Sequence, residues 1–174
     1  MPFSAGRVRV LRAAADLGIR TVAVYAIDDA GANLDPAVKS AVESLLEAMR
    51  EVNFVVKAAD PTRSNVEVAA TVEAYDGFDH AQVKAAAEVA LAEYLDPAEW
   101  GRPNFGDEES NPGWVNSTVV RLYEIAEVLN RVDGVHYVSA LTINGVAADL
   151  TMAGVVALPN VVDPATDLVV TVAP

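Results

Sequence analysis

The stretch WVNSTVVRLYEIAEVLNRVDGVHYVSALTING, residues 114–145, contains the signals that decide the fold. In its first half, apolar residues recur at helical spacing from Val119 to Leu129, which predicts an amphipathic helix. Asn116 or Ser117 precedes this run as the expected cap, and Gly134 is expected at the C′ position that ends the helix. The stretch therefore begins with a helix that has one buried face.

The second half of the stretch predicts a hairpin. Val135–Ile143 is rich in β-forming residues, and the Asn144-Gly145 pair that follows is a strong signal for a two-residue turn. Residues 146–150 are therefore expected to pair back on this strand. Residues 151–166 are predicted to be irregular, and residues 168–172 are predicted to form a final strand.

Residues 66–96 predict a further strand and helix. Apolar and polar residues alternate from Val66 to Tyr75, as in a strand with one face in water. Asp79 is the expected cap of the helix, with Gln82 as its capping-box partner, and Asp96-Pro97 ends the helix. The side chains expected to face inward are those of Val83, Ala87, Leu91 and Tyr94.

The first third of the chain predicts a β-α-β unit. Residues 4–17 are rich in Ala and Arg and predict a short helix closed by Gly18. Residues 21–27 and 54–58 predict strands, and the helix between them opens on Asp35-Pro36. The crossover should be right-handed if these strands are parallel.

These elements predict an α+β protein with two small lobes. Residues 1–61 would form an N-terminal helix and the β-α-β unit. Residues 62–174 would pack helices on a mostly antiparallel sheet, with the hairpin and the terminal strand at the C-terminus. Residues 60–65 read as a turn or linker and are the best candidate for the boundary.

Composition excludes several classes of protein. The chain has 174 residues, of which 52% are hydrophobic, and a net charge of −13, which argues against nucleic-acid binding. It contains no cysteine, so disulfides, thiolate zinc sites and thiol nucleophiles are excluded, in keeping with synthesis in a reducing cytoplasm. No apolar run reaches the roughly 18 residues of a membrane span, and the first residues are not expected to form a signal peptide.

The charge is uneven along the chain. Residues 1–20 carry a net charge of +3 through their arginines, whereas the remaining residues carry −16. Arg7, Arg9 and Arg12 either belong to a solvated basic end or form an arm that docks on an acidic neighbour. They are candidate partner contacts.

A long polar loop, residues 97–114, contains Trp100, Phe105 and Trp114. Either the loop folds back over its own sheet, or these aromatic residues anchor a partner, since aromatic residues are enriched in interface hot spots. The last strand offers another contact if it lies at a sheet edge, because its free backbone groups would accept a neighbouring strand.

The sequence offers no catalytic, cofactor or metal site. Asp76, Asp79 and His80 suggest a metal site on paper, but two carboxylates and an imidazole at a helix start are more typical of a cap and a solvated face. There is no phosphate-binding glycine loop and no nucleophile elbow. His136 reads as a structural or exposed histidine.

An ordered set of short matches resembles the C-terminal half of the baseplate J-like family, over roughly residues 20–172. The matching segments are Thr21–Tyr25, the helix after Asp35-Pro36, Val66–Val72, the helix closing on Tyr94-Leu95, Gly134-Val135, Leu141–Gly145 and Leu158-Pro159. The family belongs to the tails of phages and related contractile injection machines. Its members usually have a substantial region before this part, so the chain would be a fragment, a split gene product or a reduced relative.

The resemblance implies a structural virion protein of the tail baseplate, assembled in the host cytoplasm. Family members sit in the wedges around the central hub and join neighbouring wedge proteins into a ring. No catalytic residues are known for the family. The implied partners are other baseplate and tail proteins and further copies of the chain, with no nucleic acid, membrane or small-molecule substrate.

Two other functions remain open at this point. The chain would be a small non-catalytic bacterial binding module without a tail role, or an enzyme with an acidic, metal-dependent site at Asp76, Asp79 and His80. Metal binding separates the enzyme from the other two classes. Partners from a tail separate the baseplate protein from the binding module.

Overall fold

The computed structural model describes residues 9–16, 21–49, 55–100 and 118–173. Helices and sheets of mixed direction are both present, which confirms the α+β class. The strands are β1 (Arg9–Asp16), β2 (Thr21–Ile27), β3 (Val55–Ala59), β4 (Thr62–Asn65), β5 (Val68–Ala74), β6 (Val119–Val120), β7 (Val135–Ile143), β8 (Leu150–Thr151), β9 (Ala157–Asn160) and β10 (Leu168–Ala173). The helices are α1 (Pro36–Met49), α2 (His80–Tyr94), α3 (Leu122–Asn130) and α4 (Pro164–Asp167).

The first sheet contains the predicted β-α-β unit. Its strand order is β1-β2-β3, and β2 runs parallel to β3 with α1 between them in sequence. The Asp35 side chain accepts a hydrogen bond from the Ala37 backbone N–H at 2.8 Å. Asp before Pro therefore starts the helix as expected, because the carboxylate satisfies an N–H that has no partner within the helix.

The helix predicted over residues 4–17 is wrong where the structure describes this segment. Residues 9–16 form β1, which pairs antiparallel with β2, and a register shift between Val10 and Arg12 marks a bulge. A helix of this length is marginal by itself, since nucleation is costly. Hydrogen bonds to β2 therefore outweigh the helix propensity of its alanines and arginines.

The linker predicted over residues 60–65 is also wrong. Thr62–Asn65 is strand β4, and it pairs parallel with β9, which lies in a segment predicted to be irregular. The Val66 N–H then donates to the Asn160 carbonyl at 3.1 Å, and the Val66 side chain is buried. The proposed boundary is therefore held to the rest of the protein by a backbone ladder.

The second main sheet has the order β10-β5-β7. Residues of β5 alternate as predicted, with Val68, Ala70 and Val72 buried. Helices α2 and α3 contact this sheet through β10 and β7 respectively, and they also contact each other. The core includes the predicted α2 residues Val83, Ala87 and Leu91. β7 is antiparallel to β5, whereas β10 is parallel to it and occupies an edge of the sheet.

The start of α3 differs from the prediction. The helix begins at Leu122, after Arg121, and Val119 lies in β6, which pairs with β8. The Leu122 N–H donates to the Asp149 carboxylate at 2.9 Å. The cap therefore comes from a residue 27 positions away rather than from Asn116 or Ser117. Gly134 is likewise not at C′, because the helix is capped at Arg131.

The Asn144-Gly145 turn is present, but the hairpin is short. Both residues have positive φ, 49° and 75°, as a two-residue turn of this kind requires. Only the Ile143–Val146 bridge follows the turn, and Leu150–Thr151 pairs with β6 instead of β7. The Asn144 side chain accepts a hydrogen bond from the Glu67 N–H at 2.7 Å, so the turn is fixed to the start of β5.

One side chain ties the first sheet's loop to β4. The half-buried Arg63 guanidinium donates hydrogen bonds to the Gly31 carbonyl and to the Asn33 side chain. Burial lowers the pKa of Arg63, although the nearby Asp28 carboxylate raises it. Ile27, at the end of β2, belongs to the same buried cluster as the second sheet. The division into residues 1–61 and 62–174 remains a prediction.

Candidate interaction surface

Of the three predicted aromatic contacts, the structure describes Trp100. Trp100 is buried, with 3% of its surface exposed, and its ring packs edge-on against Tyr94 at a centroid distance of 5.5 Å. Whether the loop folds back over its own sheet remains a prediction, because residues 101–117 lie outside the described residues. Phe105 and Trp114 lie outside the described residues. A partner contact through any of the three remains a prediction.

The predicted basic arm lies partly within the described chain. Arg9 and Arg12 are on β1, an edge strand of the first sheet, and Arg7 lies outside the described residues. Within the part of the chain that the structure describes, the outer edge of β1 pairs with no strand. Arg9 and Arg12 therefore belong to a strand that forms the edge of its sheet among the described residues.

Asp79 caps helix α2, which is one of the two interpretations given above for Asp76, Asp79 and His80. Its carboxylate accepts hydrogen bonds from the N–H groups of Ala81 and Gln82, at 2.8 and 3.4 Å. Over the described ranges, no group of three or more His, Asp or Glu side chains is arranged to hold a metal. In the same ranges, no helix combines the length and the apolar character needed to cross a membrane.

Tyr94 connects α2 to α3. Its hydroxyl donates to the Glu124 carboxylate at 2.9 Å. Burial and the hydrogen bond to Glu124 both raise the pKa of Tyr94 far above its usual range, because each disfavours the phenolate. This contact holds the protonated phenol in place and is structural.

A group of exposed aromatic side chains lies where β5 ends and β7 begins. We call Tyr75, Phe78, His136 and Tyr137 the aromatic corner. The Tyr75 and His136 ring centroids are 4.6 Å apart, and those of His136 and Tyr137 are 5.1 Å apart. About half of each large side chain is exposed: 50% for Tyr75, 47% for Phe78 and 47% for Tyr137. The corner is therefore a contiguous surface.

A bulge in β7 brings two consecutive rings to the surface. Glu73 pairs with Tyr137 and Ala74 with Val135, so His136 is the extra residue in the ladder. In a regular strand, His136 and Tyr137 would point to opposite faces. The bulge changes this alternation, and both side chains are exposed.

Gly134 supports the other side of the corner. Its φ is +91°, and a Cβ built on it would lie 2.5 Å from the Phe78 ring. The Tyr75 N–H donates to the Gly134 carbonyl at 2.9 Å. Phe78 thus lies directly over a glycine backbone that only a residue without a side chain can provide.

Four acidic residues are neighbours of the aromatic corner in sequence or in the strand ladder. Glu73 is opposite Tyr137 in the ladder, Asp76 follows Tyr75, Asp79 follows Phe78, and Asp133 precedes Gly134. Within the described chain, Glu73, Asp76 and Asp133 form no ion pair. Aromatic faces next to unpaired carboxylates suit a guanidinium or ammonium group, which stacks on a ring and pairs with an acid.

Sequence reasoning missed this surface. Tyr75 and Phe78 flank the Asp76-Gly77 turn, and His136-Tyr137 follows another Asp-Gly pair. These two Asp-Gly pairs with aromatic residues nearby are the sequence feature that could have predicted the aromatic corner. Strict alternation along Val135–Ile143 assigns the two rings to opposite faces, so the pattern by itself hides the corner.

Comparison with solved structures finds a protein of similar fold. The fold is similar to that of a chain in the cryo-EM structure of the anti-feeding prophage baseplate, with 16% identity and a TM-score of 0.53. The similarity covers 83% of this chain but only 30% of the other. No protein-family model and no curated protein matches the chain. The resemblance to the J-like family therefore remains a prediction, and the shared fold is the finding.

Proposed function

We propose that this protein is a wedge-type structural component of a phage tail or contractile injection machine, and that it works in the baseplate through protein–protein contacts. The observation that carries the proposal is the fold shared with a baseplate chain over 83% of this chain. The sequence resemblance to the C-terminal half of J-like proteins points independently to the same machinery. The proposal assigns no reaction to the chain.

The surface supports a role in binding other proteins. The apolar side chains of Leu45 and Met49 on α1 are 62% and 76% exposed. Tyr123 on α3 and the aromatic corner add further exposed apolar area. Patches of this kind on a small protein are typical of surfaces that bind another protein.

The packing supports a rigid unit. Strands β5, β7 and β10 and helices α2 and α3 share one buried cluster, with Leu91, Ile125 and Leu129 fully buried. Close-packed cores resist deformation. A baseplate that changes shape would then rearrange its interfaces while this body moves as a whole.

Tagging the protein in its native source tests the proposal. Sheathed particles purified from that source should contain the tagged chain, and a gold-labelled antibody should mark one end of each particle. Deleting the gene should abolish sheathed particles. A soluble enzyme carrying the same tag is the control and should be absent from the particles.

Normal particles without the protein would contradict the proposal. Metal-dependent turnover by the purified chain would also contradict it and would favour the enzyme alternative. Stable binding to non-tail proteins, together with intact particles in the deletion strain, would favour the binding module.

A further inference from the structure

We infer that the aromatic corner binds the basic N-terminal strand of a second copy of this chain, in a head-to-tail contact. The corner consists of Tyr75, Phe78, His136 and Tyr137, and the strand is β1, which contains Arg9 and Arg12. This inference concerns copies of the chain alone. It holds with or without a role in a baseplate.

The corner has the composition of a binding surface for arginine. Three rings form a continuous row, with centroid distances of 4.6 and 5.1 Å, and Phe78 extends it over Gly134. A guanidinium stacks on such rings and at the same time pairs with a carboxylate. Glu73, Asp76 and Asp133 are close in sequence to the rings and form no ion pair in the described chain.

Charge complementarity identifies the occupant. The chain as a whole is strongly acidic, so most of the surface of a second copy would be repelled by the corner. Residues 1–20 are the exception, with a net charge of +3 against −16 for the rest. The only described strand that carries this basic segment is β1, and its outer edge has no partner among the described residues.

The geometry makes the contact heterologous. One copy contributes the aromatic corner, at the β5–β7 end of the second sheet, and the other contributes β1, in the first sheet. After the first contact, the copy that contributed its strand keeps a free corner, and the copy that contributed its corner keeps a free strand. Such contacts extend from copy to copy and close only if their rotation forms a ring.

Sedimentation equilibrium of the full-length chain tests the inference. The wild-type protein should associate reversibly at about 0.05 M salt and dissociate at about 0.5 M, because salt screens exposed charges. The double variant His136→Ala/Tyr137→Ala and the double variant Arg9→Glu/Arg12→Glu should each weaken association at least about tenfold. Val162→Ala, which trims an exposed apolar side chain outside the corner and the strand, should leave association unchanged.

Mixing the two double variants provides the decisive measurement. The first retains an intact strand and the second an intact corner, so a mixture should form heterodimers at concentrations at which each variant alone associates only weakly. Longer chains should not form, because only one productive contact remains per pair. Circular dichroism checks that each variant is folded, and Asp76→Asn/Asp133→Asn should reduce the salt dependence without altering the strand.

A wild-type chain that stays monomeric at low salt and high concentration would overturn the inference. So would a mixture that remains monomeric while the wild type associates, or association that the corner variants leave intact. None of these outcomes bears on whether tail particles contain the protein.

Discussion

Gly134 and Gly77 show how one residue type serves two purposes. Their φ angles are +91° and +90°, a backbone conformation that residues with a side chain rarely adopt. At Gly134 a Cβ would lie 2.8 Å from Val83 as well as against Phe78, whereas at Gly77 it would meet nothing within 4 Å. The first glycine is required for both conformation and space, and the second for conformation alone.

Replacing each glycine by alanine should therefore lower the free energy of unfolding by different amounts. Gly77→Ala should destabilise the protein by about 1 kcal/mol, from backbone strain alone. Gly134→Ala should cost at least about 1 kcal/mol more, because Phe78 and Val83 must move as well. Urea unfolding of both variants measures the difference. Equal costs would show that the neighbours of Gly134 yield without penalty.

Arg63 is a second residue whose role follows from its contacts. Its guanidinium donates to the Gly31 carbonyl and to the Asn33 side chain. Arg63→Ala should lower the free energy of unfolding by about 1–3 kcal/mol, since it leaves a partly buried acceptor without its donor. Lys84→Ala, which removes an exposed ion pair with Glu88, is the control and should cost under about 0.5 kcal/mol. An equal decrease in the free energy of unfolding in both variants would contradict the role of Arg63.

Local chemistry made several residues predictable. Asp35 and Asp79 cap helices through their own neighbours two residues on. Asn144 and Gly145 adopt the positive φ that their residue types favour. Asp149 was not predictable as the cap of α3, because its target, the Leu122 N–H, is 27 positions away in sequence.

At the scale of elements, amphipathic patterns identified helices and strands but not their partners. β5 and α2 bury the predicted side chains because one buried face leaves a periodic signal. β1 and β4 escaped prediction, since their strand state depends on pairing with β2 and β9. The sequence of β1 alone favours a helix, and only the neighbouring strand overrides it.

The hydrogen bond between Tyr94 on α2 and Glu124 on α3 predicts that the protein loses stability at alkaline pH. The pKa of Tyr94 is raised in the folded protein, so the folded state holds this proton more tightly than the unfolded state. Stability is then complete below the unfolded pKa of about 10.0 and falls as pH rises above it, because the unfolded chain binds fewer protons. Tyr94→Phe should show a weaker loss between pH about 9 and 11.

Urea titrations of wild type and Tyr94→Phe at several pH values measure this effect. The difference between the two proteins isolates Tyr94, because the other four tyrosines are common to both. If the free energy of unfolding fell equally with pH in both proteins, Tyr94 would not be the source of the pH dependence. The variant also tests whether the hydrogen bond to Glu124 stabilises the helix pair at neutral pH.

At the scale of the whole molecule, the two predicted lobes share buried surface. Ile27 from the first sheet belongs to the cluster that contains Val68 and Leu158. Gly31 approaches the Ala98 backbone so closely that a Cβ there would lie 2.7 Å from its nitrogen. Contacts between two such parts favour cooperative unfolding, because neither part keeps its full core without the other.

Urea unfolding should therefore proceed in a single step. Far-UV circular dichroism follows the helices and strands of the whole chain, whereas tryptophan fluorescence follows Trp100 and Trp114, both after residue 61. The two transitions should coincide. A dichroism change that precedes the fluorescence change would show that residues 1–61 unfold independently, as the two-lobe prediction would permit.

The sequence by itself determined the α+β class, the N-terminal β-α-β unit, the buried faces of β5 and α2, and the Asn144-Gly145 turn, because these depend on neighbouring residues and on periodicity. Only the tertiary structure decided which strands pair, that residues 9–16 are a strand, and that Trp100 is buried. It also produced the aromatic corner, since the bulge at His136 arises from the register between β5 and β7. Register depends on contacts between segments far apart in the chain, and no local pattern records it.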